Sequence, residues 1–320
     1  MELCKHDTRT VWALTTGEAG NVSQAEGLAE ALGWPFVSIV VRLRRPWSWL
    51  PAHRQPLGLL RYGLEQRLPE TWPDLLIGCG RRSASVSAAV RRAAGGRTFT
   101  VQILDPRAGT RIFDLVVPPA HDGLDGPNVV ATRAALHRIT PKTLAAAGAA
   151  WRGRLGRPSV AVMLGGHSRS YRFTREAVDR LASNLATLDG GIAVTPSRRT
   201  DPEIVDALKS RLPKAWFWNG TGANPYLGML ASARHIVVTE DSVSMISEAI
   251  STGKPVYVAR MAGGSRRLAR FHTSLVDDGI VRPFDGRLAE WRYEPVNETP
   301  RIAAEVRRRM EAAAAAKPVG

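Results

Sequence analysis

Apolar residues along this chain come in short β-branched runs separated by stretches of helical spacing, and that alternation predicts the architecture. Runs at 11–15, 36–41, 74–78, 98–104 and 115–117 predict strands. Between them, Ala25, Leu28, Ala29 and Leu32 recur on one face of a helix over 23–32, and 80–92 predicts a second helix. Strand and helix in alternation predict a parallel sheet flanked by helices. A helix over 143–151 and the linker Gly153-Arg154-Leu155-Gly156-Arg157-Pro158 punctuate the chain, and the pattern then restarts. Strands are expected at 159–164, 191–195, 215–218, 235–239 and 255–258, with helices over 174–187, 202–212 and 224–232. The division expected is therefore an N-terminal Rossmann-like domain over 1–152, a second over 153–300, and a basic, alanine-rich helix in the tail 301–320 that packs back across the junction. No repeat of solenoid period stands out.

The stretch from Arg234 to Val258 carries the most information. His235-Ile236-Val237-Val238-Thr239 suits a buried strand, Asp241 and Ser242 offer oxygens to cap a helix, and Val243, Ile246, Ala249 and Ile250 recur at helical spacing before Gly253. Pro255-Val256-Tyr257-Val258 completes a short βαβ unit. Backbone N–H groups and the dipole at such a helix start attract a diphosphate, and Ser244 and Glu248 share one face. Serine-rich helix starts also occur in α/β proteins that bind nothing there. Gly253-Lys254 resembles the end of a phosphate-binding P-loop, but Pro255 replaces the Ser or Thr and Glu248 stands where the first glycine belongs, so that motif is excluded.

Other candidate chemistry lies in loops that follow strands, where open α/β sheets bind ligands. Gly165 and Gly166 permit close backbone approach, and His167 and Ser168 can donate to an anion; the same residues also suit a plain turn. Glu18, in the loop 17–21, and Asp105, before Pro106 and Arg107, are candidate general bases, with a solvated charge and a turn cap as their respective alternatives. The histidines lack metal-site spacing and no serine sits in a GxSxG elbow, so no metal or covalent serine chemistry is expected.

Charge narrows the partners. Lys and Arg total 44 against 29 acidic residues, leaving +15, which fits a nucleotide or sugar phosphate, an anionic membrane face or nucleic acid; an arginine-rich GC-biased genome would give the same excess. Between 42 and 72, Arg42, Arg44, Arg45, Arg54, Arg61 and Arg67 interleave with Trp47, Trp49, Leu50, Leu57 and Tyr62. That mixture suits an interfacial membrane contact or a partly buried loop; no RNA-binding signature accompanies it and no nucleic-acid partner is expected. Cys4 and Cys79 form no disulfide framework, and no apolar run reaches membrane-spanning length, so a cytoplasmic protein is expected.

The blocks TTGEAGNVSQAEGLAEALG, PDLLIGCGRRS, VQILDPR, VMLGGHS and TEDSVSMISEAISTGKPVYV together resemble the mitochondrial fission "elongated mitochondria" family over most of residues 10–290. That family is similar to the GT-B glycosyltransferases, including the lipid-linked N-acetylglucosamine transferase of peptidoglycan synthesis. The resemblance implies two Rossmann-like parallel-sheet domains facing across a cleft, with a nucleotide-diphosphate sugar on the second and a lipid-linked or membrane acceptor, and hence a peripheral position on the inner membrane face. It implies that Glu248 bonds the ribose hydroxyls, that Ser242, Val243 and Ser244 serve the diphosphate, and that Gly165–Ser168 closes over it. Where the superfamily enzyme carries a histidine, this chain has Glu18-Ala19-Gly20-Asn21. No cofactor beyond the nucleotide sugar as substrate is implied. Plant members of the family are adaptors that recruit a protein partner to a membrane, which is the alternative to catalysis.

Overall fold

The computed structural model describes residues 9–49, 59–155 and 158–316; Cys4, Leu50, Arg54 and Leu57 among the residues named above lie outside them, as do Gly156 and Arg157 of the linker. Two compact units divide the chain, one made of residues 1–138 and 297–320, the other of 139–296.

In the first unit the order is β1 (Val11–Thr15), α1 (Ala19–Leu32), β2 (Phe36–Val40), α2 (Leu59–Tyr62), β3 (Leu75–Cys79), α3 (Arg81–Ala93), β4 (Phe99–Ile103) and β5 (Leu115–Val117). All five strands run parallel in the order β2-β1-β3-β4-β5. Alternate residues feed opposite faces: Val11, Ala13, Leu75, Ile77, Val101 and Ile103 pack toward α1, whereas Trp12, Leu14 and Leu76 pack toward Val86 and Val90 of α3. Both faces of β1, β3, β4 and β5 are covered, whereas the edge strand β2 buries only Ile39 and leaves Val37 and Val40 exposed.

The second unit begins with α4 (Pro141–Ala150), then β6 (Pro158–Leu164), β7 (Tyr171–Arg172), α5 (Arg175–Ala186), β8 (Gly191–Pro196), α6 (Pro202–Arg211), β9 (Trp216–Phe217), α7 (Tyr226–Ser232), β10 (His235–Thr239), α8 (Val243–Ile250), β11 (Val256–Ala259), β12 (Ala262–Gly263), α9 (Arg266–Asp277) and β13 (Val281–Pro283). Its six-stranded parallel sheet has the order β9-β8-β6-β10-β11-β13. Counted within the unit this is 3-2-1-4-5-6, a nucleotide-binding topology whose direction reverses between β6 and β10. The short β7 and β12 pair antiparallel with each other.

The last helix, α10 (Thr299–Ala315), belongs to the first unit: Ile302, Ala303 and Val306 are buried in the same cluster as Ala25, Leu28 and Ala29 of α1. Its start is locked by Thr299, whose hydroxyl accepts from His137 N and donates to His137 O, both at 3.0 Å. The divisions therefore fall at 138/139 and 296/297, where sequence spacing suggests 152/153 and 300/301. The physical reason for the first shift is that α4 packs on α7, with Gly148 against Ala231.

Candidate functional site

Ligands of open parallel sheets bind where strand order reverses, because the loops leaving adjacent strands diverge there. In the second unit those loops are 165–168, after β6, and 240–242, after β10. They are tied together by one carboxylate. Asp241, whose side chain is wholly buried, accepts from Gly166 N (3.0 Å), from the Thr239 hydroxyl (2.7 Å) and from Arg199 Nη2 (3.0 Å). Thr239 in turn accepts from Gly165 N at 2.7 Å. The glycines are there for close packing and not for a left-handed turn, since neither has positive φ. A Cβ on Gly165 would lie 2.0 Å from Asp241 Oδ1, and one on Gly166 would lie 1.9 Å from Arg199 O.

Asp241 is thus a hub that shapes the site from beneath, and Ser242 is the residue that caps α8, accepting from Met245 N at 3.4 Å. Ile246 N bonds Ser242 O, so the N–H groups of Val243 and Ser244 are left as the first-turn donors with no intrahelical acceptor. Val243 also packs its side chain on the core, while Ser244 is half-buried. Ser168 is a turn organiser: its hydroxyl accepts from Ser170 N (3.2 Å) and Tyr171 N (3.0 Å). His167 turns toward solvent and pairs with Asp201, Nε2 to Oδ2 3.0 Å, while its carbonyl accepts from Arg199.

Glu248 follows Ser244 by four residues on α8 and accepts from the Tyr226 hydroxyl at 2.5 Å. Burial and the neighbouring carboxylate push the Tyr226 phenol well above its ordinary value. Lys254 plays a structural part, in which Nζ donates to Leu230 O (2.7 Å), Ala231 O (2.6 Å) and Ala233 O (2.7 Å), closing the C-terminus of α7, where a cation is favoured. Burial lowers its pKa to about 8. Arg199 and Tyr226 carry no motif, whereas Thr239 and Lys254 stand in the block TEDSVSMISEAISTGKPVYV, Lys254 also in the rejected P-loop match.

A cavity of about 450 Å³ lies beside Glu240, lined also by Tyr171, Arg260, Ser265 and His272. Burial pushes the Glu240 carboxyl up, against the opposing influence of the Met261 N–H and the Arg260 charge. Burial lowers the His272 imidazole. A larger cavity, about 660 Å³, lies between α4 and α7, lined among others by Leu144, Gly148, Trp151, Leu230, Thr252 and Lys254. Among the described residues no cluster of three or more His, Cys, Asp or Glu side chains could hold a metal ion.

In the first unit the strand order reverses between β1 and β3, so the loops 16–18 and 80–82 meet. Glu18 Oε2 accepts from the Thr16 hydroxyl (2.6 Å) and Asn21 Nδ2 (3.3 Å). Burial pushes this carboxyl up, but the bonds from Thr16, its own backbone N–H and Asn21, with the charge of Arg82, outweigh it and hold the pKa below the ordinary value. Gly80 has φ +94° and would press a Cβ to 2.7 Å from Asn21 Nδ2. Asp105 is held by its neighbour: Oδ1 accepts from Arg107 N (2.8 Å) and Oδ2 pairs with Arg107 Nε (2.7 Å). Leu104 and Arg107, both at positive φ, carry the strain of this turn.

On the same unit Arg44 and Arg45 are exposed, Trp49 is 71% exposed beneath the Arg45 guanidinium (5.3 Å to the ring centre), and Tyr62 is likewise exposed. Trp47 differs, packing on the cluster that contains Leu59 and Leu64. No helix among the described residues is long and apolar enough to cross a membrane.

Similarity to known proteins agrees with this layout. The protein-family model described as Mitochondrial fission ELM1 matches residues 19–310. The Mitochondrial fission protein ELM1 of Arabidopsis thaliana is 35% identical over 276 residues, covering 75% of this chain; the chain spans only 64% of that relative's length. Among solved structures, the S. aureus MnaA–UDP co-structure aligns with a TM-score of 0.57 at 11% identity, covering 96% of this chain and 97% of the other. Spinosyn forosaminyltransferase SpnP aligns with a TM-score of 0.51 at 17% identity, covering 95% of this chain and 95% of the other. At such identities the likeness establishes the fold, which is GT-B-like, with two Rossmann-like units. With a family model matched over residues 19–310, the chain belongs to the mitochondrial fission ELM1 family.

Proposed function

We propose that the second unit binds a nucleotide-diphosphate sugar at the start of α8 and that the protein transfers the sugar to a lipid-linked or other membrane acceptor. The observation that carries this reading is the position of the α8 first turn, with its Val243 and Ser244 N–H groups, at the strand reversal between β6 and β10. The N–H groups of Val243 and Ser244 meet the diphosphate, Glu248 takes the ribose hydroxyls, and the cavity beside Glu240 seats the sugar. Helix-dipole and arginine contacts stabilise the departing diphosphate without a metal. Structural relatives support the choice of ligand, since MnaA was solved with UDP. Glu18, ionised at neutral pH, is the proposed base, and Arg44, Arg45 and Trp49 form a contact for an anionic bilayer.

An adaptor without turnover is favoured by one observation: both candidate bases are engaged by neighbours, Glu18 by Thr16 and Asn21 and Asp105 by Arg107. Incubation with labelled UDP-, GDP- and ADP-sugars and lipid extract separates the two. Label in the organic phase, lost in Glu18→Gln, supports transfer; nucleotide-sugar binding with no label transferred supports the adaptor.

A further inference from the structure

The hydrogen bond between Tyr226 and Glu248 joins two helices whose relative placement is fixed from several sides. At one end of α7, Tyr226 reaches α8; at the other, the Lys254 ammonium donates to three carbonyls and so commits all its protons. Midway, Gly228 lies against Trp151, where a Cβ would come within 2.4 Å of the indole ring. α7 can neither slide nor rotate without breaking one of these contacts. Both Tyr226 and Glu248 are half-buried, and so is the bond between them.

Glu248 lies about 6 Å of helix rise beyond Ser244, a step of the size that separates a diphosphate from its ribose. A flexible glutamate would lose rotamer freedom on meeting a ligand, at a cost of roughly 1–2 kcal/mol. A glutamate already tethered at Oε2 has lost much of it.

We propose that Tyr226 is a positioning residue that presets the Glu248 carboxylate to accept the cis-diol of a ribose, making the site selective for ribonucleotides. This rests on the nucleotide reading above. Its carboxylate partner would do the recognition, and Tyr226 would act through it.

The test is calorimetric titration of wild type and Tyr226→Phe with UDP, ADP and GDP, followed by the 2′,3′-dideoxy counterpart of the tightest ligand and by pyrophosphate. Wild type is expected to prefer the ribonucleotide over its dideoxy form by about tenfold or more, and Tyr226→Phe to lose most of that preference while pyrophosphate affinity is unchanged. A preference that survives in Tyr226→Phe, even with every ligand weakened, overturns the proposal and leaves Tyr226 a structural residue. A wild type that binds a nucleotide without discriminating ribose from dideoxyribose overturns it independently of how the variant folds. A wild type that binds no nucleoside diphosphate overturns both this proposal and the reading on which it rests.

Discussion

A Cβ on Gly165 would overlap the carboxylate of Asp241, at 2.0 Å from Oδ1 and 2.3 Å from Oδ2. The glycine after β6 is therefore explained by a residue 76 positions later in the chain, not by the turn it begins. Gly165→Ala is expected to destabilise the second unit by roughly 3 kcal/mol, because neither the strand end nor the buried carboxylate has room to move. Urea unfolding followed by far-UV circular dichroism checks this; a change within about 0.5 kcal/mol would show that the loop yields.

Asp241→Ala removes the acceptor shared by Gly166 N, Thr239 and Arg199. Two buried donors lose their partner at a cost of roughly 2–3 kcal/mol, and the loops after β6 and β10 lose their tie. Amide hydrogen exchange should then rise at Gly165 and Gly166 more than in α5. Protection unchanged at those glycines would remove Asp241 from the role of hub.

His137 gives the first unit a pH dependence of known sign. Burial lowers its pKa from 6.5 to about 4. Between those values the unfolded chain binds more protons than the folded one, so stability rises with pH through this window and is lost as pH falls from 6.5 toward 4. The total is roughly 3 kcal/mol by the usual conversion. Unfolding titrations of the whole chain at pH 7 and pH 5 should differ by more in wild type than in His137→Gln, and an equal pH dependence in the two would contradict the assignment.

Trp47 and Trp49, two residues apart, are expected to behave differently on substitution. Trp49→Ala should lower co-sedimentation with liposomes containing anionic lipid while leaving stability unchanged, because the ring is exposed beneath Arg45. Trp47→Ala should lower stability, because that ring packs on the Leu59 and Leu64 cluster. Liposome pelleting that ignores Trp49 would exclude it from a bilayer contact.

Much of the fold can be read from apolar patterning. β1, β5 and β10 fall where the runs place them, and the unit β10-α8-β11 is visible as strand, capped helix and strand. Helix α9 is not among the elements the patterning above predicts, although Leu268, Phe271 and Leu275 recur at helical spacing with Arg266, Arg267 and Arg270 off that stripe; three apolar residues in an arginine-rich stretch make a narrow signal. β7 and β12 are two residues each and exist only through their mutual pairing. At the site, local chemistry indicates Ser242 and Glu248, but the partners that define their surroundings come from distant segments. Tyr226 reaches Glu248 from 22 residues upstream and Arg199 reaches Asp241 from 42, and neither separation leaves a periodic signal. Lys254 shows the converse, a motif-like residue whose protons are spent on the α7 carbonyls.

The central claim is that the first turn of α8 and Glu248 together hold a nucleoside diphosphate. Isothermal titration of UDP-, GDP- and ADP-sugars into wild type and Glu248→Ala, with folding of the variant verified by circular dichroism, tests it most directly. The account predicts saturable binding by at least one of these at or below about 1 mM, weakened about tenfold or more in Glu248→Ala. Absence of binding by all of them, or an affinity that Glu248→Ala leaves unchanged, would contradict it.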